Sequence, residues 1–178
     1  MIIGISGPIA SGKSTFARAL AGRFSLKLVG FGEYVRREAR SRGLDPADRR
    51  VLQDLGQSLV DRDVKSFVEG VFDHANFGLN ERIVVDGIRH ETVWDEIIAF
   101  ASSRRSSAKL IFLEMPEEER RRRLGARGLS RDQADAQDTH ATEADVRDRL
   151  VDRADLRLDA LQSDQSMMSA VASRLGLR

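Results

Sequence analysis

The stretch Ile2-Ile3-Gly4-Ile5-Ser6-Gly7-Pro8-Ile9-Ala10-Ser11-Gly12-Lys13-Ser14-Thr15 decides how this chain folds. From Gly7 it fits the pattern G-x-x-x-x-G-K-[ST] without a mismatch. Glycines at both ends let the backbone curl until its N–H groups point inward at an anion. Lys13 supplies a mobile cation for the outer phosphates, and the Ser14 hydroxyl is a ligand for Mg²⁺. Gly7, Pro8, Ile9, Ala10, Ser11, Gly12, Lys13, Ser14 and Thr15 are therefore the candidate site for a nucleoside triphosphate with Mg²⁺. A helix that follows adds positive potential from its N-terminus.

Both flanks agree with that reading. Ile2, Ile3 and Ile5 form a short β-branched run, the mark of a buried strand. Beyond the loop, Phe16, Ala17, Leu20, Ala21 and Phe24 recur at helical spacing. Strand, loop and helix in that order are the context the motif requires.

The same alternation runs through the chain. Leu26 to Phe31 reads as a second strand, and Gly32-Glu33 turns it into a helix from about Tyr34 to Ser41. Asp45-Pro46 reads as the cap and first turn of another helix. Val51, Leu52, Leu55, Leu59 and Val60 continue it, and so do Val64, Phe67, Val68, Val71 and Phe72. Arg82 to Gly87 is a third strand ending in a carboxylate, followed by a helix with Val93, Trp94, Ile97, Ile98 and Phe100. Lys109 to Glu114 is a fourth strand, and Pro116 with Glu117, Glu118 and Glu119 opens the next helix. Ser130 and Gln133 fit a capping box. Asp155 to Asp159 is a fifth, weak strand, and Met167, Met168, Val171 and Leu175 mark a last amphipathic helix. Strands buried on both faces and separated by helices give an α/β fold, a parallel five-stranded sheet flanked by helices in three layers. Ligands then bind outside the carboxyl ends of the strands.

Composition sets the class. The 178 residues suit one domain, and 41% hydrophobic with 32% charged residues describes a soluble globular protein. No apolar run is long enough to span a membrane, and no secretory h-region follows Met1, so a cytoplasmic location and no membrane partner are expected. The absence of cysteine excludes disulfides and thiolate metal sites. A net charge of +1 creates no polyanion field, and Trp94 and Tyr34 are isolated aromatics, so no nucleic acid partner is expected. His74, His90 and His140 are scattered without metal-ligand spacing. No feature specifies an oligomeric state.

Position picks out the remaining chemistry. Asp86 ends the third strand, where an acid holds Mg²⁺ directly or through water. Arg89 lies three residues on, and Arg36 and Arg37 open the helix after the second strand; each is a candidate fork for a second phosphate. Arg123 and Arg127 are one turn apart and share a helix face, placed to clamp a moving phosphoryl group. The other arginines of Arg120-Arg121-Arg122-Arg123 are expected to be solvated or paired with Glu117 to Glu119. Gln53 and Gln57 are candidates because their helix should border the acceptor cleft.

These motifs resemble those of the nucleoside monophosphate kinases within the P-loop kinases, over most of the chain. Gly7 to Ser14 resembles the family's ATP loop. Gly32-Glu33-Tyr34-Val35-Arg36 resembles the G-D-x-x-R that opens the monophosphate-binding helix of adenylate kinases. Asp86-Gly87-Ile88-Arg89 resembles their D-G-x-P-R, whose arginine holds the acceptor phosphate, and Arg123 to Arg127 resembles the R-x-x-x-R that begins the lid. Three departures stand out: Glu33 replaces Asp, the proline before Arg89 is missing, and the stretch from Gly128 to Asp148 is mostly acidic. Arg49 to Gly56 is faintly similar to a segment of phage-type deoxynucleotide kinases. The back half, from Arg127-Gly128-Leu129-Ser130-Arg131-Asp132-Gln133-Ala134 to Ala154-Asp155, is similar to dephospho-CoA kinases; there an acid equivalent to Glu33 activates a sugar hydroxyl, and Arg37 takes the arginine's place.

The resemblance implies a single P-loop kinase domain with an acceptor-binding helical segment at about 32–80 and a short lid at about 120–150. It implies phosphoryl transfer from ATP to a small-molecule acceptor, a nucleoside or deoxynucleoside monophosphate, or in the second register a hydroxyl with Glu33 as base. Lys13, Arg123 and Arg127 would act on the moving group, and Arg36 or Arg37, Gln57 and Arg89 would hold the acceptor. A P-loop regulator or ATPase without an acceptor is the rival of a different class. A GTPase switch would need an N-K-x-D guanine reader, which the chain lacks.

Overall fold

Short runs dominated by apolar residues become the inner strands of the sheet. The computed structural model describes residues 1–78, 81–128, 130 and 146–177. Its strands are β1 (Ile2–Ser6), β2 (Lys27–Gly30), β3 (Ile83–Asp86), β4 (Ala108–Glu114) and β5 (Leu156–Asp159). They form one parallel sheet in the order β2-β3-β1-β4-β5. β1 lies at the centre, Ile5 in register with Asp86 on one side and Ile111 on the other. The loop after β1 and the carboxylate ending β3 therefore emerge side by side. β2 and β5 are edge strands, and their exposed Lys27, Arg157 and Asp159 fit that place.

Period-two alternation divides the core between the two faces of the sheet. Ile3, Ile5, Val84, Ile111, Leu113 and Leu158 face α1 (Lys13–Arg23) and the C-terminal helix, α6 (Asp164–Leu175). Ile2, Ile83, Val85, Leu110 and Phe112 face α2 (Phe31–Ser41), α3 (Arg49–His74) and α4 (Glu91–Ser103). A further helix, α5 (Glu117–Ala126), follows β4 and packs Leu124 on Ile9 and Ala10 of the loop. The three layers and the five parallel strands are those expected from the sequence. Among the described residues, no helix is long and apolar enough to cross a membrane.

Three local expectations are corrected. α2 begins at Phe31 rather than Tyr34. α3 is capped by Asp48, which accepts from the backbone N–H of Arg50 and Val51, not by Asp45. Asp45 instead accepts from the Ala47 N–H at 2.8 Å, closing a tight turn before the helix. The third is that α3 is broken at Asp63, whose extended backbone (φ −168°, ψ 93°) separates 49–62 from 64–74. The Asp63 carboxylate accepts from the Ser66 N–H and hydroxyl and caps the second half. The capping-box helix expected from Ser130 and Gln133 lies outside the described residues.

Candidate active site

The loop between β1 and α1 is shaped by its own backbone. Gly7 (φ 142°) and Gly12 (φ 94°) adopt conformations that side chains resist, and a Cβ on Gly7 would sit 2.5 Å from the Leu113 carbonyl oxygen. Between them, Ile9 and Ala10 are buried under Leu124 of α5. Lys13 is folded back over the loop, its buried Nζ donating to the Pro8 carbonyl at 2.8 Å. Ser14 and Thr15 open α1 and are exposed. The Ser11 hydroxyl is buried and finds no hydrogen-bond partner among the described residues.

Asp86 leaves β3 beside this loop. Gly87, in the left-handed region (φ 85°), turns the chain. Ile88 is fully buried, against Trp94 and the bare backbone of Gly4. The Ser6 hydroxyl donates to the Ile88 carbonyl at 2.8 Å, tying the turn to β1. With Ile88 locked into the core, Arg89 emerges on the site.

One cleft of about 560 Å³ collects these groups. Lys13, Ser14 and Arg18 line it from the loop and α1; Glu33 and Arg36 from α2; Arg49, Gln53 and Gln57 from α3; Asp86, Arg89 and His90 from the turn after β3. Phe31, Val35, Leu52, Phe67 and Val93 supply apolar wall. Arg49, Gln53 and Gln57 stand at successive i, i+4 positions and form a polar stripe that helical spacing alone displays. Gln53 and Gln57 are both candidates from the sequence, and Gln57 Nε2 donates to Asp61 within its own helix at 2.8 Å. Gln53 Nε2 and Asp86 Oδ1 are both buried without a partner among the described residues. A buried polar atom left so costs about 1–3 kcal/mol, so each such atom faces a demand for a ligand.

Arg37 is not in the cleft. Its guanidinium lies 4.7 Å from the Tyr34 ring centroid and hydrogen-bonds His74 Nδ1. One residue is a 100° step around a helix, and Phe31, Val35 and Ala39 fix the buried face of α2 against the core.

 The buried stripe turns Arg36 toward the cleft and Arg37 toward α3.

α5 carries the arginines that reach the loop. Arg123 is half-buried; its Nε donates to Glu119 Oε1 at 2.9 Å and its Nη1 to the Ala10 carbonyl at 3.4 Å. Glu119 also takes two hydrogen bonds from Arg122, and these, with the one from Arg123, bring its carboxyl down to about 2. Arg127 stands at the C-terminal cap of α5 and is exposed, and neither it nor Arg123 lines the cleft. Arg120, expected on the solvated surface, is buried, 6% exposed, on the same face as Leu124. The i, i+4 relation of Arg120 to an apolar residue was the signal for this.

Asp86 and Ser14 line one cleft, and Asp86 brings a buried carboxylate oxygen, Oδ1, that has no hydrogen-bond partner among the described residues. That donor set fits Mg²⁺, a hard cation that takes one or two protein oxygens and completes its shell with phosphate and water. Among the described residues, no group of three or more His, Asp or Glu could hold a metal by itself.

The chain is similar to several known proteins. A family profile described as "AAA domain" matches residues 3–148. A UPF0200 protein of Methanothrix thermoacetophila is 36% identical over 135 residues, covering 74% of this chain and 68% of the relative. A cytidylate kinase of Acidiphilium cryptum is 41% identical over 68 residues, 36% of this chain and 32% of that protein. The APS kinase of Mycobacterium tuberculosis superposes with a TM-score of 0.64 at 14% identity, over 98% of this chain and 96% of that one; this likeness is one of fold. The chain belongs to the AAA-domain family, on its P-loop kinase side.

Proposed function

We propose that this AAA-domain kinase transfers the γ-phosphoryl group of ATP to a nucleoside or deoxynucleoside monophosphate, within one domain that has an acceptor-binding helical segment at about 32–80 and a lid region at about 120–150. The observation that carries this reading is the shared cleft: Lys13 and Ser14 line it from the donor loop, and Arg36 and Arg89 line it from α2 and the turn after β3. Two anion-binding groups in one cleft suit two phosphates brought together. The cytidylate kinase relative supports a monophosphate as acceptor.

The chemistry asks little of the protein beyond placement and charge. An acceptor phosphate oxygen attacks the γ-phosphorus, and the bond to the β–γ bridging oxygen breaks to release ADP. The attacking oxygen is already anionic, so no proton need be removed. Arg36 and Arg89 hold the acceptor phosphate, which converts an encounter in solution into a positioned reaction. The loop N–H groups and Lys13 neutralise the charge that collects on the β and γ oxygens. Arg123 reaches the loop from α5 and stabilises the group in flight. Mg²⁺, held by Ser14 and Asp86, would supply further neutralisation of the phosphate oxygens.

Glu33 favours a second reading, since its carboxylate lines the same cleft as Lys13. With a hydroxyl acceptor it would take the hydroxyl proton as the new P–O bond forms. A coupled ADP-release screen over ribo- and deoxynucleoside monophosphates, dephospho-CoA and simple sugar acids separates the two. Turnover dependent on a monophosphate is the expected result. Turnover with a hydroxyl acceptor alone, or ADP release indifferent to any acceptor, would overturn it.

A further inference from the structure

We infer that Gln53 reads the base of the acceptor, an assignment that rests on the monophosphate kinase reading above. Gln53 projects from the first half of α3 into the cleft, and its Nε2 is buried with no hydrogen-bond partner among the described residues. Gln57, one turn on, is already engaged by Asp61. The two amides of the stripe are thus not equivalent, and only Gln53 holds a donor aimed at a ligand.

Its surroundings say what kind of ligand. Phe31, Val35, Leu52 and Phe67 line the same cleft, and Gly56 leaves room between α3 and Val35, where a Cβ would lie 3.8 Å from Val35 Cγ2. Apolar walls accept the faces of a flat ring, and a few placed polar groups fix its edge. A carboxamide presents one donor and one acceptor in a plane, the complement of an exocyclic amine beside a ring nitrogen. A sugar acid carries hydroxyls on several sides and gains nothing from these walls. The cleft chemistry therefore selects a planar nitrogen heterocycle on the acceptor, with Gln53 on its hydrogen-bonding edge.

The test compares wild type with Gln53→Met, which keeps the length of the side chain and removes its amide, and with Gln53→Glu, which keeps an acceptor and removes the donor. kcat/KM is measured for CMP, UMP, AMP and GMP at saturating ATP, with the KM for ATP and the thermal midpoint followed in parallel. The expected result is a loss of about tenfold to a hundredfold in kcat/KM for the preferred monophosphate and a similar fall in its preference over the next base. The KM for ATP stays unchanged, and if Gln53→Met fails to fold, Gln53→Glu gives the same comparison. An unchanged preference among the four bases in the variants overturns the assignment while leaving the monophosphate reading standing. A wild type that treats the four alike does the same. A wild type that phosphorylates only hydroxyl acceptors overturns both.

Discussion

The proposed donor loop and the proposed acceptor wall line one cleft but are built by different means. The loop is contiguous in sequence, fixed by the dihedrals of Gly7 and Gly12, by the Pro8 carbonyl under Lys13, and by Leu124 over Ile9 and Ala10. The acceptor wall is assembled from α2, α3 and the turn after β3, and its charged groups Glu33 and Arg36 stand exposed at the cleft's edge. α3 itself is interrupted at Asp63, so the half that carries Arg49, Gln53 and Gln57 is joined to the second half through a capped break. A loop formed by its own backbone can be the same whatever lies opposite. A wall of side chains on separate helices can change its ligand one residue at a time.

The largest effect should come from the loop. Lys13→Ala removes the cation over the phosphates and should lower kcat by about a hundredfold to a thousandfold in an ADP-release assay, as loss of one preorganised charge-stabilising group does. Turnover within a fewfold of wild type would break the donor assignment.

On the acceptor side, neighbouring arginines should part company. Arg36→Ala should raise the acceptor KM about tenfold or more, the value of a charge-assisted hydrogen bond of about 1.5–3 kcal/mol. Arg37→Ala, whose side chain rests on Tyr34 and His74, should leave it unchanged. Equal effects in a KM titration would show that α2 presents a different face to the cleft.

Glycine substitutions compare the rigidity of the two regions. Gly7→Ala forces a side chain into φ 142° and against the Leu113 carbonyl, and should cost about 1–3 kcal/mol in chemical denaturation. Gly56→Ala meets only ordinary contact with Val35 and gains helix propensity, so it should stay within about 1 kcal/mol of wild type in either direction. A costly Gly56→Ala would mean that the acceptor wall is packed as tightly as the loop.

The smallest effect concerns Glu119, which anchors Arg123 above the loop. Its carboxyl is held down to about 2 by hydrogen bonds from Arg122 and Arg123, against an ordinary value of 4.5. A depressed carboxylate stabilises the fold above its unfolded value, and that contribution is lost as pH falls from about 4.5 toward 2. Glu119→Gln should therefore lower the thermal midpoint slightly at pH 7 and make no difference near pH 2. Exposure to solvent keeps the effect small. A gap between the two proteins that widens in acid would contradict the sign.

Much of this was legible from residues in a row. The strand, loop and helix at the N-terminus, the five strands and the turn carrying Asp86 and Arg89 all follow from local patterns. The break in α3 was hidden, because Val60 and Val64 keep helical spacing across Asp63 and one apolar stripe runs through both halves. Asp45 and Asp48 are equally good caps in isolation, and only the packed helix shows which one it uses. Arg120 sat in a run of four arginines that covers the whole circumference of α5, so its burial depended on where Leu124 docks.

By itself, the sequence determined the donor loop, because its conformation is set by glycine dihedrals and hydrogen bonds among neighbours within about eight residues. It determined the alternation of strands and helices for the same reason, since periodicity is a local property. Only the tertiary structure decided which of Arg36 and Arg37 enters the cleft, that Gln53 Nε2, unlike Gln57 Nε2, has no hydrogen-bond partner among the described residues, and that Arg120 is buried. Those outcomes depend on which face each helix presents, and that face is chosen by the sum of contacts with elements far away in the chain.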